Sequence, residues 1–198
     1  KRRFQDSPVA LVGLGGTYEY HSADPEVLRA NIEGTKEYAR LAADVGASGI
    51  KVRPNAVEDG KGIPRERTYE QIGRAWDQGA AFAADYGVQV RMEVHGHVTQ
   101  EPANFLQILQ HVEHPNAKIC WNCNAPDVTE AGTIKPNFDK MADRIALVHM
   151  RDLCWPDYPW QELMVLLQGI NYQGFCLAEI PETPEPERIM GYYRSLFD

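Results

Sequence analysis

The sequence predicts an α/β fold, a (β/α)8 TIM-type barrel that is incomplete here, with about six strand–helix units. Short apolar, β-branched runs alternate with amphipathic segments along the 198 residues. The last four runs begin at residues 88, 117, 145 and 174, which is the regular spacing of a repeated strand–helix unit. Strict alternation of this kind indicates parallel strands joined by right-handed crossovers.

Each predicted strand is short, rich in apolar or β-branched residues and bounded by turn residues. The six strands are residues 9–15, 49–53, 88–95, 117–123, 145–151 and 174–180. Helices are predicted at residues 25–45, 68–86, 102–112, 138–143 (a short one), 159–167 and 186–197. The first helix has the clearest ends, because Asp24 and Pro25 supply an N-cap followed by proline, and Gly46 terminates it.

One strand favours a barrel over an open doubly wound sheet. In residues 88–95, valine and methionine alternate with the polar residues Gln89, Arg91, Glu93 and His95. A parallel strand covered on both faces is usually apolar throughout, whereas a polar face suits the lumen of a barrel near its mouth. A Gly-rich phosphate loop of the G-x-G-x-x-G type is also missing from the sequence, so the nucleotide-binding form of the open sheet has no support.

Composition excludes several classes of protein and predicts one domain over residues 1–198. The chain is 43% hydrophobic and 24% charged, as in ordinary globular proteins. Its net charge of −8 argues against a nucleic-acid partner, and its apolar runs are shorter than the ~20 residues that span a membrane. The basic start has no apolar signal region after it, and four cysteines are too few for a disulfide scaffold. We therefore expect reduced thiols and a cytoplasmic location.

Candidate metal ligands lie at the ends of four successive predicted strands: Glu93, Asn122, His149 and Glu179. The carboxyl ends of barrel strands form the catalytic face, so these side chains are expected at one level. A lone Glu or His is more often structural, but the repeated position favours a site. The mixed oxygen and nitrogen donors suit Mn²⁺, Mg²⁺, Co²⁺ or Zn²⁺.

Several strings in order resemble the sugar phosphate isomerase/epimerase family of xylose-isomerase-like TIM barrels. They are LGGTYEYHS at residues 14–22, KVRPN at 51–55, EVHG at 93–96, VHMRD at 148–152 and LAE at 177–179. The resemblance implies a divalent metal held by Glu93, Asn122, His149 and Glu179. It also implies that Glu93 and Glu179 transfer protons while a sugar or sugar phosphate isomerises or epimerises through an enediolate.

The side chains expected to bind the substrate are Tyr20, His21, Lys51, Arg53, His95, Asn124, Arg151 and Asp152. Lys51, Arg53 or Arg151 would hold an acidic or phosphorylated group through charge-assisted hydrogen bonds. His95 would bind a hydroxyl or orient Glu93. Alternatives remain, since Lys51 and Arg53 would equally serve as internal ion-pair partners. Arg151 would pair with Asp152 or Glu179, and Asp152 would cap its loop.

The chain departs from the family pattern at one strand. The family often has Asp and, three residues later, His, where this sequence has Asn122 and Ala125. Two other functions therefore stay open: a metal-dependent lyase similar to inosose dehydratase, and a non-catalytic sugar-binding protein. The resemblance further places two strand–helix units before Lys1. Strands 9–15 and 174–180 would then be sheet edges, which a homo-oligomer would cover.

Overall fold

A computed structural model describes residues 1–197, and the predicted domain end at Asp198 lies outside them. The strands are β1 (Leu14–Glu19), β2 (Gly49–Arg53), β3 (Gln89–Glu93), β4 (Ala117–Trp121), β5 (Ile145–Met150) and β6 (Phe175–Ala178). The α-helices are α1 (Arg2–Gln5), α2 (Pro25–Val45), α3 (Arg65–Ala84), α4 (Pro102–Leu109), α5 (Lys135–Asp139), α6 (Trp160–Gly169) and α7 (Pro186–Arg194). From β1 onward a helix follows every strand, which confirms the predicted α/β class. None of the helices described is both long and apolar enough to cross a membrane.

The chain forms two compact units, of which the first is Lys1–Ile119. In it β1 pairs with β2 and β2 with β3, both in parallel. Ile50 is opposite Val90 and Lys51 is opposite Arg91, so β2 and β3 share one apolar and one polar face. Helices α2 and α3 pack against these strands, and α4 packs against α3. The indole of Trp76 on α3 is fully buried and donates to the carbonyl oxygen of Val90, 3.0 Å away.

The second unit begins at Cys120, near the end of β4. In it β5 and β6 pair in parallel, with His149 opposite Leu177. Trp121 and Phe138 are fully buried, and their rings meet edge to face at 5.5 Å. Leu163 on α6 is also fully buried, so helices α5 and α6 contribute to this core.

The predicted bounds are right for some elements and wrong for others. Helix α2 and strand β2 have the predicted bounds. Strand β1 does not: the prediction placed it at residues 9–15, but it is Leu14–Glu19. Val9 is 60% exposed, so the apolar run before β1 is not a buried strand. Gly16 lets β1 approach β2, because a Cβ there would lie only 2.6 Å from the carbonyl oxygen of Lys51.

The region predicted as one short helix at residues 138–143 is also different. Helix α5 is Lys135–Asp139, and a separate 3₁₀ turn, Ala142–Arg144, follows it. Lys135 and Pro136 place the helix start earlier than the apolar pattern indicated, because proline favours the first turn of a helix.

Candidate functional site

Glu93 ends β3 as a buried carboxylate with a lysine beside it. Its side chain is 1% exposed, and the ammonium Nζ of Lys51 donates to its Oε2 at 2.7 Å. Lys51 lies on β2, on the same face of the sheet as Arg91 and Glu93. The lysine charge offsets part of the cost of burying the carboxylate.

Arg91 lies two residues before Glu93 in β3, and its hydrogen bonds join β3 to the segments that precede β1 and β2. Its guanidinium donates to the carbonyl oxygen of Val12 at 3.1 Å and to the hydroxyl of Ser48 at 2.9 Å. A Cβ on Gly49 would lie 2.5 Å from this guanidinium, so the glycine makes room for it. Arg91 therefore has a structural role at the amino-terminal side of the polar face.

A second group of ionisable side chains lies at the carboxyl ends of β1 and β2. Glu19 is the last residue of β1, Arg53 is the last residue of β2, and His21 follows Glu19 by two residues. The guanidinium NH2 of Arg53 donates to Glu19 Oε1 at 3.1 Å, and His21 Nδ1 lies 3.8 Å from Glu19 Oε2. These three side chains are 21–25% exposed, so they are accessible to a small molecule. We call them the Glu19 cluster.

Tyr20, between Glu19 and His21, turns away from this cluster. Its side chain is fully buried, and its hydroxyl lies 2.6 Å from the hydroxyl of Thr35 on α2. Burial raises the pKa of the Tyr20 hydroxyl well above its usual value. The structure thus gives Tyr20 a place in the core.

His95 follows β3, at a point where the backbone after β3 lies very close to the backbone after β2. We call this contact between Asn55 and Gly96 the backbone crossing. Its Nδ1 lies 3.2 Å from the Oδ1 of Asn55, and Asn55 forms a parallel bridge with Gly96. Asn55 and Gly96 both have positive φ, at 63° and 99°. A Cβ on Gly96 would lie 2.1 Å from the Asn55 carbonyl oxygen, so only glycine fits there. This crossing fixes the direction of the imidazole ring of His95.

In the second unit, His149 and Glu179 come together at the ends of β5 and β6. His149 Nδ1 lies 3.9 Å from Glu179 Oε2, and the guanidinium NH1 of Arg151 lies 3.5 Å from the same oxygen. The backbone N–H of Glu179 donates to the carbonyl oxygen of Met150, which extends the pairing past β6. The side chain of His149 is 11% exposed and that of Glu179 is 43% exposed.

Asn122 and Asn124 follow β4 and are both buried. The amide Nδ2 of Asn122 donates to Asn124 Oδ1 at 3.2 Å, and Arg151 NH2 approaches the same oxygen at 3.4 Å. The side chain of Asp127 accepts from the backbone N–H of Asn124 at 2.7 Å. Asn124 therefore links the end of β4 to the end of β5.

Hydrogen bonds among Tyr158, Trp121 and Asp127 support the turn that follows β4. The hydroxyl of Tyr158 donates to Asp127 Oδ2 at 3.2 Å and accepts from the indole N–H of Trp121 at 2.8 Å. Burial raises the pKa of Tyr158 and of the neighbouring Cys123 thiol well above their usual values. These groups stay neutral and structural, and they fix the backbone that carries Asn122 and Asn124.

Comparison with known proteins identifies the family to which this chain belongs. A family model described as "Xylose isomerase-like TIM barrel" matches residues 1–195. The chain belongs to the xylose isomerase-like TIM barrel family. This confirms the family and the barrel class that the sequence predicts. No curated protein matches the chain by sequence.

Solved structures of other xylose isomerase-like barrels share the fold at low sequence identity. A D-tagatose 3-epimerase-like protein has a TM-score of 0.83 and 13% identity, over 98% of this chain and 80% of that chain. The apo 3-keto-D-glucoside 4-epimerase from E. coli has a TM-score of 0.78 and 15% identity, with coverage of 99% and 82%. A xylose isomerase domain protein from Planctomyces limnophilus has a TM-score of 0.73 and 17% identity, with coverage of 99% and 79%. Such identities establish the fold only.

The predicted site residues occupy different positions in this fold. Those at or directly after the strand ends are Arg53, Glu93, Asn122, His149, Arg151 and Glu179, and Lys51 lies in the middle of β2. His21, His95 and Asn124 lie in the segments after the strands, and Tyr20 lies in the core. Asp152 is exposed, and its Oδ1 accepts from the backbone N–H of Cys154, as expected for a residue that caps its loop.

Sequence reasoning missed three residues of this site: Glu19, Asn55 and Asp127. Glu19 was missed because strand β1 was placed too early, so that Glu19 fell beyond its end. Asn55 was recognisable as one of the residue types that tolerate positive φ. For Asp127, the spacing Asn-x-x-Asp was a local signal, since Asn124 and Asp127 form a capping box.

Proposed function

We propose that this protein is a divalent-metal-dependent sugar isomerase or epimerase. The observation that carries the proposal is the placement of Glu93, His149 and Glu179 at the carboxyl ends of β3, β5 and β6 in a chain of this family. Active sites of TIM barrels lie at this end of the strands. The names of the structural relatives, which include D-tagatose 3-epimerase-like and L-ribulose 3-epimerase proteins, support the same class of reaction.

We propose that the metal ligands are Glu93, His149, Glu179 and the carbonyl oxygen of Asn122. The first three offer two carboxylate oxygens and an imidazole nitrogen, a donor set that fits Mn²⁺, Mg²⁺, Co²⁺ or Zn²⁺. In the second unit, the 3.9 Å between His149 Nδ1 and Glu179 Oε2 is close to the separation of two ligands on one ion. When bound, such an ion polarises a carbonyl and stabilises negative charge that develops on it.

Glu93 and Glu179 are the proposed proton-transfer groups. One carboxylate would remove the proton beside the sugar carbonyl to give an enediolate, and the other would return it at the neighbouring carbon or on the opposite face. Each carboxylate has a cation beside it, since Lys51 lies 2.7 Å from Glu93 and Arg151 lies 3.5 Å from Glu179. Positioned groups of this kind contribute about 10²–10⁴-fold to rate.

The substrate hydroxyls would contact the side chains at the rim of this site. His95 is oriented by Asn55, and Asn124 and Arg151 are held next to each other, so all three are set in place before a sugar binds. Tyr20 is not part of this rim, because its hydroxyl is buried against Thr35. The proposal includes a cytoplasmic location, which the free thiols of the chain support.

The test is proton exchange rather than product formation alone. The protein loaded with Mn²⁺ is incubated in D₂O with D-tagatose, D-fructose or L-ribulose, and deuterium at the carbons flanking the carbonyl is measured by NMR. We expect exchange in the wild type, its loss on chelation and its recovery on adding Mn²⁺. Glu93→Gln and Glu179→Gln should each lower exchange by about 10²-fold or more.

The matched control is Glu182→Gln, which changes an exposed glutamate three residues after Glu179. It should exchange at the wild-type rate. If Glu93→Gln exchanges protons like the wild type, Glu93 is not a proton-transfer group and the proposal is wrong. Incubation with an inosose in the same series detects a lyase, because dehydration gives a product that has lost water.

A further inference from the structure

We propose that the sugar bound at this site is uncharged, and that Glu19 discriminates against phosphorylated sugars by holding Arg53. The inference rests on the proposed function and narrows its substrate class. It also implies that the Glu19 cluster binds sugar hydroxyls. Three independent features of the chain carry it: the charge of the loops after the strands, the pairing of the basic side chains, and two buried polar atoms without partners.

The chain's net negative charge lies in the segments between each strand and the next helix. These six segments contain only two basic residues, Lys61 and Arg151. Their eleven acidic residues are Asp24, Glu58, Asp59, Glu101, Asp127, Glu130, Asp152, Asp157, Glu179, Glu182 and Glu185. The remaining 18 basic and 17 acidic residues of the chain nearly cancel.

In a TIM barrel the loops after the strands build the walls of the active site. A phosphate ester carries about two negative charges near neutral pH, so these loops oppose its approach. An uncharged sugar has no such barrier. The same acidic walls favour the approach of a divalent cation, which agrees with the proposed metal.

The basic side chains of Lys51, Arg53 and Arg151 do not compensate for the acidic loops, because each has a carboxylate beside it. Lys51 lies 2.7 Å from Glu93, Arg53 lies 3.1 Å from Glu19, and Arg151 lies 3.5 Å from Glu179. In the loop after β2, Lys61 likewise lies 3.0 Å from Glu58. A phosphate would have to displace a carboxylate to use any of these cations.

Arg53 is the residue that decides between the two substrate classes. It ends β2, and Glu93, the proposed metal ligand and proton-transfer group, ends the adjacent strand β3. A guanidinium is the preferred partner of a phosphate, since it binds two oxygens at once. Glu19 is neither a proposed metal ligand nor a proton-transfer group, so its role is to occupy this guanidinium.

The Glu19 cluster also presents two polar atoms that lack hydrogen-bond partners. These are Nε of Arg53 and Nδ1 of His21, each enclosed by the protein. An unpaired buried donor costs about 1–3 kcal/mol, so a ligand that pairs it gains affinity. A sugar hydroxyl donates and accepts, so a sugar toward which these two side chains turn pairs the Arg53 N–H and the His21 ring nitrogen without bringing charge.

The test compares a ketose with its phosphate ester on the Mn²⁺-loaded protein. The values of kcat/KM are measured for D-fructose and D-fructose 6-phosphate in the wild type and in Glu19→Gln. We expect the wild type to prefer the free sugar by about tenfold or more, and Glu19→Gln to reduce that preference by about tenfold. Glutamine keeps a hydrogen bond to Arg53, and thermal melting checks that the variant is folded.

The control is Glu33→Gln, which removes the same charge from an exposed glutamate on α2 that pairs with Lys36. It should leave the preference unchanged. The inference is overturned if the wild type prefers the ester, or if Glu19→Gln changes the preference no more than Glu33→Gln does.

A separate measurement distinguishes failure of this inference from failure of the proposed function. Binding of inorganic phosphate is measured by calorimetry for the wild type and both variants, whether or not any sugar turns over. If neither sugar is a substrate but phosphate binds Glu19→Gln at least about tenfold tighter than wild type, the reaction is wrong and the inference stands. If Glu19→Gln gains no affinity for phosphate, the inference is wrong even where D-fructose is turned over.

Discussion

The ammonium of Lys51 lies 2.7 Å from the carboxylate of Glu93, which is only 1% exposed. The two residues are on adjacent parallel strands, and their side chains share the polar face. A carboxylate buried this deeply needs a positive partner to stay ionised. Lys51 supplies such a positive charge, and the metal proposed for this site would add to it.

The first prediction follows from this shared role. Lys51→Met should lower the free energy of unfolding of the metal-free protein by about 3–5 kcal/mol, because it removes the positive partner 2.7 Å from a buried carboxylate. Mn²⁺ should restore much of that loss, since it supplies positive charge to Glu93. Thermal melting with a chelator and with Mn²⁺ measures both values. Lys61→Met, at a pair with Glu58 in which the lysine is 63% exposed, should cost at most about 1 kcal/mol in either condition.

The second prediction concerns the backbone crossing that holds His95. Gly96→Ala should destabilise the protein by more than the cost of positive φ alone, because its Cβ would meet the Asn55 carbonyl oxygen at 2.1 Å. Gly62→Ala is the control, since Gly62 also has positive φ, at 74°, but open space around it. We expect about 1–2 kcal/mol for Gly62→Ala and at least twice that for Gly96→Ala in denaturant unfolding. Equal effects would show that the close approach is relieved by a backbone shift.

The third prediction concerns the hydroxyl of Tyr158. Tyr158→Phe leaves the buried indole N–H of Trp121 without its acceptor and removes one donor from Asp127, so it should cost about 1–3 kcal/mol. Tyr86→Phe, at an exposed tyrosine, should change stability by less than about 0.5 kcal/mol. Chemical denaturation near neutral pH measures both. A loss as small as that of Tyr86→Phe would contradict a structural role for the network.

The hydroxyl of Tyr158 also makes the stability of the protein depend on pH. Burial raises the pKa of Tyr158 in the folded protein above its ordinary value near 10. Its contribution to stability is therefore complete below about pH 10 and is lost as the pH rises beyond that value. Unfolding curves across this range should fall more steeply for the wild type than for Tyr158→Phe. Parallel curves would contradict the raised pKa.

The fourth prediction concerns the cysteines. Cys154 is exposed, whereas Cys120 and Cys123 are buried, so a thiol reagent should label Cys154 first. A hydrogen bond to the carboxylate of Asp152 raises the pKa of the Cys154 thiol, and a raised pKa means less thiolate at neutral pH. Asp152→Asn should therefore speed labelling severalfold at pH 7, with a smaller gain at pH 10.

The control for that experiment is Asp157→Asn, which changes an exposed acid in the same loop. It should label at the wild-type rate, and Cys154→Ser should remove the rapid phase. A rapid phase that survives Cys154→Ser would show that a cysteine described here as buried becomes exposed.

Local signals made much of the fold predictable. Helix α2 has the predicted bounds because Asp24, Pro25 and Gly46 act on the adjacent backbone alone. Strand β1 was misplaced because the apolar residues before it resemble a strand, while pairing with β2 determines its actual position. Residue pattern cannot show which of two neighbouring segments will find a partner strand.

The sequence by itself determined the α/β class, the family and the residue types that end the strands. It left open whether Lys51 and Arg53 bind substrate or pair internally, and the structure places both beside carboxylates. Glu19 and Asn55 gained roles only through contacts with residues distant in the sequence. Charges and hydrogen-bonding groups act over a few ångströms in space, and chain folding, not position along the sequence, sets those distances.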